Sequence, residues 1–146
     1  MPALSAEYLE MLQQELARHY VPHLPPLLPN NNTAEQQAAK QQSRALSAFL
    51  LSAVCALDAD TAAKSVVDDF GDNGIDAIYY DRKTETLHLV QGKLKASEQV
   101  KQAEAQAFCN GARRFFQQDF DSFNEHVKRR RLELEKALAS ASSIKL

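Results

Sequence analysis

The chain has 146 residues, 45% of them apolar and 25% charged, with a formal net charge of −2. That is the size and composition of one folded domain with a single core; it excludes a disordered chain and a protein that holds nucleic acid by bulk charge alone. No apolar run approaches the roughly 20 residues of a membrane span, and two cysteines, Cys55 and Cys109, are too few for a disulfide framework or a zinc site.

Ser5–Tyr20 reads as a helix, because Tyr8, Leu12, Leu16 and Tyr20 recur at helical spacing. Val21-Pro22-His23-Leu24-Pro25-Pro26 ends it, since proline lacks the amide donor and clashes with the preceding turn. Pro29-Asn30-Asn31-Asn32 is a loop, and Thr33-x-x-Gln36 is a capping-box start. The helix that follows runs to about Leu57 without glycine or proline, with Leu46, Phe49, Leu50, Val54 and Leu57 on one face. Asp58 or Asp60 caps a shorter helix over Thr61–Lys64. Ser65-Val66-Val67-Asp68 forms a short strand, and Gly71-Asp72-Asn73-Gly74 a tight turn.

Ile75–Asp81 and Thr86–Leu94, rich in β-branched, aromatic and leucine residues, form the two strands of a hairpin. The 3.6-residue period returns from about Ser97, where Val100, Glu104, Ala107, Gly111 and Phe115 share a helical face. Asp119 opens a second helix carrying Phe123, Val127, Leu134 and Leu138. The pattern ends at Ser142-Ser143, and Ile144-Lys145-Leu146 alternates like the opening of a strand. Helices, hairpin, helices is the order of an α/β (α+β) domain: a small, mostly antiparallel sheet with a central hairpin flanked by helices. Both cysteines sit in apolar helical patterns and read as buried, reduced thiols.

Taking Arg82-Lys83-Thr84-Glu85 as the hairpin loop pairs Asp81 with Thr86, Tyr80 with Leu87, Ile78 with Leu89 and Asp76 with Gln91. Lys93 then shares a face with Gln91, since side chains alternate along a strand. One carboxylate, one amide and one ammonium converge at the open end of the ribbon. These residue types suit phosphodiester hydrolysis: Asp76, Gln91 and the Gly92 carbonyl would hold Mg²⁺ (or Mn²⁺ as a substitute), and Lys93 would steady charge developing on phosphorus. The plainer reading is a strand-end salt bridge between Asp76 and Lys93 beside a surface amide. Asp72 and Asp69 offer second metal ligands, set against a plainer reading of Asp72 as a turn residue and Asp69 as a loop or cap residue; His88 points to the opposite face and reads as packed. Phe115, Phe116, Phe120 and Phe123 read as core.

The stretch Asp72-Asn73-Gly74-Ile75-Asp76-Ala77-Ile78-Tyr79-Tyr80, followed by Leu87-His88-Leu89-Val90-Gln91-Gly92-Lys93, resembles the GIDA…QxK signature of restriction-endonuclease-like proteins. These are the PD-(D/E)xK superfamily, in its Mrr-like branch. More narrowly, the chain resembles the N-terminal nuclease domain of abortive-infection phage-resistance (AIPR) proteins, with Ala48-Phe49-Leu50 and the segment from Gly111 to Asn124 fitting flanking elements. The resemblance implies a restriction-endonuclease-like core over residues 31–146, preceded by an N-terminal helix and Pro-rich linker over 1–30. It implies a metal-dependent DNA endonuclease with Asp76, Gln91 and Lys93 as catalytic positions. It also implies an acidic residue from a preceding helix; Leu46–Leu57 holds none, so Glu35, or Glu7, Glu10 or Glu15, would fold back to supply it. Gly92 stands where the family usually has Ser or Cys, and Asn73 where it has Gly.

Residues 1–73 carry four Lys/Arg against nine Asp/Glu, and residues 74–146 thirteen against ten, including Lys128-Arg129-Arg130-Arg131. DNA would therefore meet the second half, with Lys95, Lys101, Arg113 and Arg114 on its phosphates. AIPR-like proteins are longer than this chain, so a C-terminal remainder is an expected partner. The superfamily core has one more strand after the last helices, which Ile144–Leu146 would open; the unprotected sheet edge predicts a homodimer. Met1–Asn30 lacks the basic start and apolar stretch of a secretory signal, which points to the cytoplasm and no membrane. Two other readings stand beside the nuclease: an inactive member of the same fold that binds nucleic acid or a protein, and a helical interaction protein with a hairpin insert.

Overall fold

The computed structural model describes residues 5–93 and 100–146. In chain order these form α1 (Ala6–His19), a 3-10 turn (Val21–His23), α2 (Ala34–Cys55), α3 (Ala59–Lys64), β1 (Ala77–Asp81) and β2 (Thr86–Val90). Then come α4 (Gln102–Phe116), a 3-10 turn (Phe120–Ser122), α5 (Glu125–Lys128), α6 (Arg131–Ser140) and β3 (Ser143–Lys145). The fold is mixed α and β, with its strands in one three-stranded sheet of order β1-β2-β3.

The helix starts are set locally. Ser5 Oγ accepts the Tyr8 amide at 3.3 Å, Thr33 and Gln36 form a reciprocal capping box, and Asp58 accepts the Thr61 amide at 2.8 Å. The hairpin has the expected register from Asp81–Thr86 through Tyr80–Leu87 and Ile78–Leu89 to Ala77–Val90, but the expected Asp76–Gln91 pair does not form, because the Asp76 amide donates to the Val90 carbonyl instead. β2 ends at Val90, where that bond (2.8 Å) is out of step with the ladder; the expected strand end, Leu94, lies outside the described residues. Ser65–Asp68 forms no full strand. It lies along the other edge of β1 through a single bridge, Val66 with Ala77, and the Ile78 amide donates to the Ser65 carbonyl. β3 pairs with β2 in parallel, Ile144 opposite Leu87.

Alternation along the strands divides the core. Ile78, Leu87 and Leu89 face Val67, Ile75 and a cluster from the C-terminal helices that includes Ala112, Phe115, Phe120, Phe123, Val127 and Leu134. Ala77, with Tyr79 and Val90, faces Ala48, Leu51, Ala62 and Ala63 of α2 and α3. α1 packs on α2 through Leu16, Ala45 and Leu46.

Two periodic patterns are corrected. The buried side of α2 is Arg44, Ala45, Leu46, Ser47, Ala48 and Leu51, while Phe49 and Val54 are exposed. α2 is gripped from two sides, by α1 through Ala45 and Leu46 and by α3 and the sheet through Ala48 and Leu51, so its buried surface is set by those neighbours and not by a single apolar stripe. The helix expected from Asp119 is three pieces, because Phe123 and Asn124 are extended and Asn124 starts α5 by accepting the Val127 amide. Cys109 is also exposed rather than buried, since α4 turns Gly111, Ala112 and Phe115 inward; both thiols are free. Among the described residues no helix is long and apolar enough to cross a membrane.

Candidate metal centre

Asp76 is the last residue before β1 and is held by backbone on both sides. Its amide donates to Val90, while its carbonyl accepts the amides of Val67 (2.8 Å) and Asp68 (3.0 Å). This double latch brings Asp68 beside Asp76 from across the sheet edge. Asp72 arrives by the turn between them. Its carboxylate accepts the Gly74 amide at 2.8 Å, its carbonyl accepts the Ile75 amide, and Gly71, Asn73 and Gly74 adopt the positive φ that reverses the chain. The outcome is a cluster in which one carboxylate oxygen from each of Asp68, Asp72 and Asp76 lies within 4.8 Å of the others. Such an arrangement can hold a metal ion, and an all-oxygen carboxylate set suits a hard divalent cation.

Asp76 is 3% exposed and Asp68 and Asp72 are half-buried. Burial is the largest influence on all three carboxyls and raises each of them. Asp76 is pushed up to about 7, with the Asp68 and Asp72 charges adding to burial and the Gly92 amide and Lys93 opposing it. Asp72 is pushed up to about 6; its bond from Gly74 opposes the burial, and it shares a hydrogen bond with Asp68. Lys93 is exposed, and its ammonium acts on all three carboxyls. Gly92 meets Asp76 through its amide, which donates to Oδ2 at 2.7 Å and so fixes the carboxylate's direction. A Cβ on Gly92 would come within 3.0 Å of Ser47 Oγ and 3.1 Å of Leu50 Cδ1, so this segment packs closely on the side chains of α2.

Gln91 lies half-buried just beyond the last ladder pair. Glu7, Glu10, Glu15 and Glu35 are exposed and stand outside the acidic cluster; Asp68 and Asp72 supply the added negative charge. Sequence reading passed over Asp68. The available signal was its spacing, four residues before Asp72 and eight before Asp76, but the Gly71–Gly74 turn lies between them, so no regular element carries that spacing onto one face.

Arg44 was also missed. It is fully buried, and its Nε donates to the Asp68 carbonyl at 2.8 Å, putting a guanidinium behind the cluster. Asp69 turns the other way and is structural. It accepts the Leu28 and Phe70 amides, Lys40 Nζ at 2.8 Å and His126 Nε2 at 3.1 Å. Burial would raise its pKa, but these donors together hold the carboxyl well below the usual range. His88 is buried beside Tyr79, and burial lowers its pKa.

Of the four cations expected to meet phosphate, Lys95 lies outside the described residues. Lys101 is exposed at the start of α4, and Arg113 and Arg114 are exposed in its last turn. The basic run is engaged locally: Lys128 pairs with Glu125, Arg130 with Glu133, and Arg131 with Glu135 and Asp121. No protein-family model, no curated protein and no solved structure matches the chain.

Proposed function

We propose that the chain is a divalent-metal-dependent phosphodiesterase domain of the restriction-endonuclease-like type, cutting DNA in a cytoplasmic, AIPR-like phage-defence protein. The observation that carries this reading is the convergence of Asp68, Asp72 and Asp76 within 4.8 Å, with the Lys93 charge acting on all three. The order helix, bridge, two antiparallel strands, helix and a strand parallel to the second agrees with the core that the GIDA…QxK resemblance implies.

Asp76, Asp68 and Asp72 would hold Mg²⁺ or Mn²⁺. When bound, the cation would act as a Lewis acid toward the scissile phosphate. Asp76 is kept in one direction by the Gly92 amide, so its oxygen is positioned before any ligand arrives. Lys93 meets the phosphate oxygens and stabilises the negative charge that grows on them during attack by water. Gln91 orients that water from the end of the hairpin. Arg44 offsets part of the cluster's charge from behind, and exposed Lys101, Arg113 and Arg114 contact phosphates farther along the strand.

The test is hydrolysis of supercoiled plasmid and of heat-denatured DNA in Mg²⁺ and in Mn²⁺. Wild type should cut, and Asp76→Asn and Lys93→Ala should each lower the rate by about 100- to 1,000-fold while unfolding as cooperatively as wild type. Wild type that binds DNA and cuts in neither metal would replace this reading with the non-catalytic binding module.

A further inference from the structure

We infer that Phe70 is a base-stacking side chain beside the metal centre, so that the substrate presents an unpaired base there and the preferred substrate is single-stranded DNA. This rests on the nuclease reading and names its substrate class. Phe70 is 86% exposed, more than any other large apolar side chain among the described residues. Single exposed apolar residues are ordinary on a protein surface. What distinguishes Phe70 is its place and its support.

It lies midway between Asp68 and Asp72, two residues from each, so its Cα is within about 7 Å of theirs. Its amide is bound by Asp69 Oδ1 at 2.8 Å, and Asp69 is a buried junction also held from Leu28, α2 and α5. On the other side Gly71 turns at φ 78° against Asn124, whose side-chain amide donates to the Val67 carbonyl at 2.8 Å. The backbone is therefore fixed on both flanks while the ring stands in water. A ring held outward buries no apolar surface in the fold; a planar partner would recover that burial.

A phosphate held at the acidic cluster would have its adjoining base about one nucleotide's span away, the same scale as the separation of about 7 Å or less between the Cα of Phe70 and those of Asp68 and Asp72. Every base has a face that stacks on an aromatic side chain, but a base paired inside a duplex has both faces covered by its neighbours. The ring thus selects for unpaired DNA, while Lys93 and the cation take the phosphate.

The chain contains no tryptophan, so Phe70→Trp creates a single reporter at the position in question. Its emission is read in Ca²⁺ with a single-stranded oligothymidylate and with a blunt duplex of equal length. The expected result is quenching by the single strand and little change with the duplex. Phe70→Ala should weaken single-strand binding by roughly 5- to 150-fold, Phe70→Tyr should retain it, and both should keep the wild-type Tm, because a ring this exposed contributes no packing. Trp emission indifferent to the single strand, in a protein whose wild type cuts DNA, would overturn the stacking role and leave the nuclease intact. Equal quenching by the duplex would overturn the single-strand preference. Wild type that neither cuts nor binds DNA would remove the nuclease reading and this inference with it.

Discussion

Burial, joined at Asp72 and Asp76 by the charge of neighbouring carboxylates, outweighs what the nearby cations offset, and so the folded protein favours the protonated forms of the three carboxyls within 4.8 Å. Asp76 titrates at about 7 and Asp72 at about 6, against an ordinary 3.8. A carboxyl raised on folding contributes stability that is complete below its unfolded pKa and is lost as pH rises through the folded one. In EDTA, this cluster should therefore lower Tm between about pH 4 and about pH 8. Asp69 has the opposite sign: its contribution is present at neutral pH and is lost in acid. A divalent cation held by the cluster would replace the protons, so the rise in Tm produced by Mg²⁺ should be small at about pH 5 and reach several degrees by about pH 8. Asp76→Asn keeps an acceptor for the Gly92 amide and should abolish the Mg²⁺ response while flattening the fall in EDTA. Thermal unfolding across that range, with and without metal, checks both; a Mg²⁺ shift independent of pH would count against a carboxylate site.

At the scale of elements, the acidic cluster depends on how closely α4 approaches the turn that carries Asp72. A Cβ at Gly111 would fall inside the contact distance of the Asn73 carbonyl oxygen, and one at Gly74 would reach 3.0 Å from the Ala107 backbone. The Asn73 side chain also donates to the Ser122 carbonyl at 2.9 Å, tying the turn to the segment after α4. In an isolated helix Gly→Ala would stabilise by about 1 kcal/mol. Here the collision is with backbone, which cannot rotate away, and overpacking of that kind costs up to about 3 kcal/mol. Gly111→Ala should therefore lower the urea midpoint and weaken metal binding together, because displacing the turn displaces Asp72. A variant as stable as wild type would show that α4 can shift without cost. The helical period of α4 was legible from its apolar spacing. The reason for Gly111 was not, because it lies in a turn 38 residues away in the chain.

For the whole molecule, among the described residues the sheet is covered on both faces by helices but not on every edge. β3 is the outer strand of the order β1-β2-β3, and Ile144 is half exposed there. Unpaired strand edges accept another strand, and a two-fold arrangement of β3 against β3 would satisfy both edges at once. Three residues provide few hydrogen bonds, and Lys145 in the strand opposes close approach, so the expected association is weak. Light scattering over increasing protein concentration should show a monomer passing to a dimer, and Ile144→Lys should hold it monomeric. A strict monomer at the highest concentration would count against this edge as an interface.

The sequence by itself determined the features made by near neighbours. Caps at Ser5, Thr33 and Asp58 need only the amide three residues on, and the hairpin register follows from a four-residue loop and alternating side chains. The same local arithmetic placed Asp76 and Lys93 at one end of the ribbon. It could not show that Asp68 joins them, because that depends on a single bridge along the far edge of β1 rather than on any period. Nor could it separate Asp68, Asp69 and Phe70, three consecutive residues that the tertiary structure sends to the acidic cluster, into the core and out to solvent. Side-chain direction in an irregular segment has no repeat to read. It is decided by the partners waiting on each side, here Arg44, Leu28, Lys40, His126 and Asn124, which the chain brings together only when it folds.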